Sequence, residues 1–356
     1  MTPLRSAHIA VLVAFGWLIA AADGGHAAAL RIKEPWPDPA EILNVEIADV
    51  SFLSTSPFSP YDLGRGGERE PATTALARLY LPAARREARS LPAVVMLHGA
   101  GGLVPGRSDI YGPQLASMGV AALAIDTFGS RRERGTGFNE RIINITETMM
   151  VADAYAGLAY LAGRSEIDPA HVALIGFSYG GMATTYALYR QIADRLARPD
   201  LRFVGHVAFY GPCIARFEDR RTTGAPLLML YGSDDEIIDA GRCADVASDL
   251  IAGGSAVERI SYLGAVHQWD GHLPRRLIGR NLADCDFAVE TDGTVRDNLT
   301  HLPMSGPFSR KIELGLCTYS KPYPIGRDDH IRQLSNQDLG RFLERVFAEP
   351  QRAVAN

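Results

Sequence analysis

The stretch His171-Val172-Ala173-Leu174-Ile175-Gly176-Phe177-Ser178-Tyr179-Gly180-Gly181 decides the fold. A continuous apolar run leads into the pattern G-x-S-x-G-G. It reads as a buried strand that ends in a sharp turn into a helix, with Ser178 at the apex. So tight a turn leaves no room for side chains two positions either side, and Gly176, Gly180 and Gly181 remove them. The hydroxyl of Ser178 then stands pre-positioned above a helix running from about Met182 to Arg190. The free N–H groups of that helix start are placed to stabilise a developing oxyanion.

Outward from this turn, apolar β-branched runs alternate with helical patterns. The strands expected are Val45–Phe52, Thr74–Leu81, Ala93–Leu97, Val120–Asp126, His171–Gly176, Phe203–Tyr210, Pro226–Tyr231 and Arg259–Tyr262. Several are apolar throughout, as in a parallel sheet covered on both faces. Helices are expected at Ile110–Met118, Ile142–Ala162, Gly181–Leu196, Ala240–Ala252 and His330–Phe347. The alternation predicts an α/β fold, a mostly parallel central sheet flanked by helices on both faces. One stretch breaks the rhythm: His272 to Arg327 is rich in Gly, Pro, Asp and Arg with weak periodicity. It reads as a long loop-rich insertion, about 272–327, either a flap over the site or a solvated excursion.

The length of 356 residues, with 47% hydrophobic residues, suffices for one large α/β domain or two small ones, and one domain spanning 30–356 is the expectation. A formal charge of −5 without a long basic stretch argues against nucleic acid as a partner. At the N-terminus, Arg5 precedes the apolar run Ile9 to Ala22, and small residues follow through Ala29. Residues 1–29 therefore read as an export signal cleaved near Ala27–Ala29, with an uncleaved anchor as the alternative. No second apolar run is long enough for a bilayer, so the mature chain is expected to be exported, periplasmic or secreted, with no stable membrane span. Export favours disulfides. Of the three pairings four cysteines allow, Cys213–Cys243 and Cys285–Cys317 fit the layout best. The first would join neighbouring strand and helix ends, and the second would staple the loop-rich segment. Four buried thiols are the alternative.

A serine hydroxyl needs a base, and the base needs a carboxylate. After Ser178 the chain supplies both, each just beyond a strand. The run Leu227-Leu228-Met229-Leu230-Tyr231-Gly232-Ser233-Asp234-Asp235 carries the acid, with Asp235 preferred over Asp234 and Asp239 left as a helix cap. His267 in Ala265-Val266-His267 carries the base. Among its rivals, His171 and His206 open their strands at the wrong end, and His98 precedes the serine. An oxyanion hole would draw on the amide of Tyr179 and one from the glycine run His98-Gly99-Ala100-Gly101-Gly102, Ala100 first and Gly101 second. Arg131 is a candidate contact for an acidic substrate, against a solvated or locally paired role. Trp269 and Tyr179 are candidate pocket walls, against simple packing. No metal or nucleotide motif is present.

Taken together, Leu97-His98-Gly99-Ala100-Gly101-Gly102, Asp126-Thr127-Phe128-Gly129-Ser130-Arg131, Gly176 to Gly181, Phe209-Tyr210-Gly211-Pro212-Cys213, Tyr231 to Asp235 and Ala265-Val266-His267 resemble the dienelactone hydrolase family of α/β-hydrolases, from about Val45 to Phe347. The resemblance implies an α/β-hydrolase fold, a triad of Ser178, Asp235 and His267, and no cofactor. The family's namesake enzymes carry a cysteine nucleophile and a glutamate at the place of Gly99. Serine and glycine here imply a general hydrolase of small-molecule carboxylic esters, a carboxylic ester hydrolase working through an acyl-enzyme. A serine peptidase or amidase on the same fold and a non-catalytic envelope binding protein are the alternatives.

Overall fold

The computed structural model describes residues 30, 32, 34–64, 72–83, 87–279, 281–318 and 322–348. The expected export signal at 1–29 lies outside the described residues.

Two antiparallel strands come first, β1 (Val45–Ser54) and β2 (Thr73–Pro82). Next come β3 (Leu91–Leu97), α1 (Ser108–Ser117), β4 (Ala121–Asp126), α2 (Phe138–Asn144), α3 (Glu147–Ala162) and β5 (Ile167–Phe177). After the turn at Ser178 follow α4 (Tyr179–Tyr186), α5 (Arg190–Leu196), β6 (His206–Phe209), the short β7 (Ala215–Phe217), β8 (Leu227–Gly232), α6 (Ala240–Ala252) and β9 (Val257–Tyr262). The sheet order is β1-β2-β4-β3-β5-β6-β8-β9. β2 meets β4 antiparallel, and every pairing from β4 to β9 is parallel. This is the mostly parallel α/β sheet expected from the alternating pattern, in the α/β-hydrolase architecture that the family resemblance implies.

The period of two along each strand divides the core between the two faces. In β3, Ala93, Val95 and Leu97 join the cluster containing Met149 of α3, Met182 of α4 and Val246 of α6. Val94 and Met96 turn the other way, toward Leu115 of α1 and Leu339 of α8 (Asp329–Ala348). Parallel pairing sends β3, β5, β8 and β9 toward one edge of the sheet, so the loops after them share one edge.

Three expectations need correction. Ile142–Ala162 is two helices, broken at Ile145, whose backbone is extended. Thr146 caps α3 by accepting a hydrogen bond from the Met149 amide, a threonine signal present in the sequence. Gly181–Leu196 is likewise split, because Tyr189 leaves the helix to bridge Thr222. The segment 272–327 holds regular structure: β10 (Arg276–Ile278), β11 (Phe287–Val289), β12 (Val295–Asp297), α7 (Pro307–Cys317) and β13 (Tyr323–Ile325). Its strands are three residues each, too short for a periodicity to show; β11 and β12 form a hairpin, while β10 with β13 and β11 with β7 pair at long range.

Two disulfides form, and one of them lies within this region. Cys213–Cys243 joins the loop after β6 to α6. Cys285–Cys317 ties a position two residues before β11 to the end of α7. Among the described residues, no helix is long and apolar enough to cross a membrane.

Candidate active site

The turn between β5 and α4 holds Ser178 at φ 52°, ψ −111°, a conformation that side-chain-bearing residues rarely adopt. Its amide donates to the Phe209 carbonyl at 2.9 Å, which pins the apex to the neighbouring strand β6. Two glycines make the turn possible. A Cβ on Gly176 would sit 2.0 Å from the Gly180 carbonyl oxygen, and one on Gly180 would sit 2.4 Å from that of Leu97.

Beyond β8, Asp235 turns inward while Asp234 stays exposed and accepts from its neighbour Ser233 at 2.8 Å. Asp235 Oδ2 lies 2.7 Å from His267 Nδ1, and its Oδ1 accepts from the Ile237 amide at 3.1 Å. On the other side of the ring, His267 Nε2 lies 2.8 Å from Ser178 Oγ. A carboxylate can only accept, so Nδ1 carries the proton and Nε2 is the acceptor facing the hydroxyl. The ring is 1% exposed and sits edge-on to Tyr210, with centroids 4.7 Å apart. Its backbone carbonyl accepts from the Gly326 amide, so the 272–327 segment also holds this loop.

The glycine run after β3 passes directly beside the serine. A Cβ on Gly99 would lie 3.4 Å from Ser178 Cβ. The Gly102 amide bonds back to the Gly99 carbonyl at 3.0 Å, closing a turn with Ala100 and Gly101 at its crest. Both line the cavity containing Ser178 and His267. Among the described residues, the amides of Tyr179, Ala100 and Gly101 donate to no protein acceptor. Such free donors around a serine hydroxyl can receive an oxyanion.

Two sequence candidates are placed elsewhere. Arg131 is not at the cavity but fully buried, with bonds of 2.7 and 2.8 Å to the two carboxylate oxygens of Asp153 and further bonds to Ser56 and the Thr55 carbonyl. Its partner lies 22 residues on, in α3, and the pair ties the β4 loop to that helix. Trp269 is not a pocket wall either. Gln268 takes a φ of 64° and reverses the chain after His267. The indole therefore points into the core, where its Nε1 donates to Ser335 of α8 at 3.1 Å.

Two buried networks replace them, both invisible in the sequence because each joins residues far apart in the chain. Arg310 of α7 donates to Glu147 at 2.8 and 3.3 Å, to the Tyr179 hydroxyl at 3.2 Å and to the Ile142 carbonyl at 2.9 Å. Burial alone would raise the Glu147 pKa, but the Arg310 guanidinium outweighs it and holds the carboxyl below its usual range. Arg107 donates to Asp270 at 3.1 and 3.2 Å, and the Tyr210 hydroxyl donates to the same carboxylate. Burial and Asp270 hold the Tyr210 phenol protonated well above its usual range, although Arg107 works against them. Tyr210 thus links Asp270 to the His267 ring it packs against. Among the described residues, no cluster of His, Cys, Asp and Glu could hold a metal ion.

Comparison with known proteins gives a family. Residues 77–279 match the model of the dienelactone hydrolase family. YtaP of Bacillus subtilis (strain 168) is 27% identical over 164 residues, 41% of this chain and 51% of that protein. The uncharacterized protein Rv2307c of Mycobacterium tuberculosis (strain ATCC 25618 / H37Rv) is 28% identical over 217 residues, 56% of this chain and 70% of that one. The chain therefore spans about half the length of the first relative. Among solved structures, the propionate-bound esterase 2 of Thermogutta terrifontis is 17% identical with a TM-score of 0.45, covering 66% of this chain and 88% of that one. A dienelactone hydrolase-like promiscuous phosphotriesterase, P91, from metagenomic libraries is 20% identical with a TM-score of 0.43, covering 63% and 84%. At those scores the two structural likenesses carry no argument about chemistry.

Proposed function

The chain belongs to the dienelactone hydrolase family, and from that membership we propose that it is a serine hydrolase that cleaves carboxylic esters through an acyl-enzyme. The observation that carries the reading is the unbroken hydrogen-bond chain from Ser178 Oγ to His267 to Asp235, at 2.8 and 2.7 Å.

In this mechanism, Ser178 Oγ attacks the ester carbonyl while His267 Nε2 takes its proton. Asp235 fixes the tautomer and stabilises the imidazolium that forms. The tetrahedral oxyanion is received by the amides of Tyr179 and Ala100, with Gly101 next in line. The proton held at Nε2 passes to the departing alkoxide, leaving an acyl-serine. Water, deprotonated by the same nitrogen, then attacks the acyl carbon, and Ser178 leaves with the proton back on Oγ. No step calls for a cofactor. The two disulfides suit an oxidising compartment, in keeping with an exported protein.

Ser178→Ala should lower kcat/KM on p-nitrophenyl butyrate by about 10⁴-fold or more, with far-UV circular dichroism and melting unchanged. Activity within tenfold of the parent would overturn the assignment.

A further inference from the structure

The cavity around Ser178 and His267 measures about 820 Å³. That is toward the upper end of the roughly 300–1,000 Å³ spanned by sites enclosing drug-sized ligands. An acetyl group would fill a small corner of it.

The walls are apolar. Met182, Ile214 and Ile237 come from the core side, and Ile278, Leu282 and Leu314 from the segment between β9 and α8. Two buried arginines reach the cavity, and both are neutralised: Arg107 by Asp270 and Arg310 by Glu147. Their guanidiniums thus bring no free charge to a ligand. The other charged liners, Glu140, Arg276 and Lys311, are all solvent-exposed. They can remain at the mouth in water, whereas a charged ligand group deep inside would lose its hydration without gaining a partner.

Leu282 and Leu314, with Tyr323 and Ile325, lie beyond the 77–279 segment that matches the family. Much of this wall therefore comes from residues outside the segment that matches the family model. It is fixed by the Cys285–Cys317 disulfide and by the Arg310–Glu147 pair.

We propose that this site takes esters whose acyl or alcohol part is large, apolar and uncharged, and that Ile278, Leu282, Leu314, Tyr323 and Ile325 set that preference. The inference rests on the ester-hydrolase reading. Burial of each added methylene favours binding by about fourfold. Part of that is lost to ordering a flexible chain.

The test is kcat/KM for p-nitrophenyl acetate, butyrate and octanoate, and for the octanoyl analogue ending in a carboxylate, all below their aggregation limits. The expected result is a rise of about 100-fold from acetate to octanoate, with a drop of about tenfold or more for the ω-carboxylate. Leu314→Asp should cut the octanoate-to-acetate ratio by about tenfold. Acetate hydrolysed as well as octanoate, or the ω-carboxylate preferred, would overturn the inference while leaving the esterase reading intact. If no ester turned over, calorimetry with Ser178→Ala protein would separate the two claims. Tighter binding of methyl octanoate than of methyl acetate would uphold the chamber preference alone, and equal binding would overturn it too.

Discussion

At the residue scale, the choice between Asp234 and Asp235 rests on one turn. The Asp235 amide bonds to the Gly232 carbonyl at 3.3 Å, which carries its side chain inward to His267 and leaves Asp234 in solvent. Asp234→Asn is therefore expected to leave kcat within about threefold, while Asp235→Asn lowers it by about 10³-fold or more through the wrong imidazole tautomer. Steady-state rates on one short ester separate the two, and equal losses would contradict the geometry. Arg131 gives a second contrast. Removing it strands the Asp153 carboxylate in the core, so Arg131→Ala should cost about 3–5 kcal/mol in urea unfolding. KM for a neutral ester and KM for an anionic ester should each stay at the parent value in that variant. A selective rise for the anionic ester would return Arg131 to the substrate.

At the scale of elements, much of the site was readable in the sequence because its signals are local. Gly176, Gly180 and Gly181 mark a turn that nothing bulkier can make, and the run into Asp235 marks a strand ending in a carboxylate. The break at Ile145 was also marked, by Thr146 and Glu147, but helical spacing across it concealed the cap. What could not be read is long-range pairing. Arg131 looks alike in sequence whether solvated or buried, and only the fold brings Asp153 to it. The same holds for Arg310 and Glu147, 163 residues apart. The three-residue strands of 272–327 have no period of their own and exist through partners elsewhere. Their staple has a measurable role. Cys285–Cys317 closes a separation of 32 residues, so the Cys285→Ser/Cys317→Ser double variant should lose about 3–4 kcal/mol by the chain-entropy model. An unchanged urea midpoint would show that packing alone holds α7.

At the scale of the whole molecule, the buried histidines make the fold acid-sensitive. Burial lowers the His206 pKa to about 4, although a hydrogen bond to the Thr184 carbonyl at 3.2 Å partly opposes the shift. Burial lowers His98 as well. In the unfolded chain an imidazole titrates near about 6.5. Between those values the unfolded state binds more protons than the folded one, so stability is complete above pH 6.5 and falls as the pH drops toward 4. From pH 7.5 to 5.0, His206 alone should remove about 2 kcal/mol. Urea unfolding at the two pH values measures it, and His206→Phe should flatten the difference. A pH-independent midpoint would contradict the burial argument. The proposed catalysis depends on a different property of the assembled molecule, the convergence at one sheet edge of the loops after β3, β5, β8 and β9.

That convergence is tested most directly by reaction with a fluorophosphonate, followed by peptide mass spectrometry. The account predicts a single adduct on the peptide containing Ser178, absent in Ser178→Ala and formed at least about 10²-fold more slowly in His267→Ala. An unlabelled protein, or an adduct on a different residue, would contradict it.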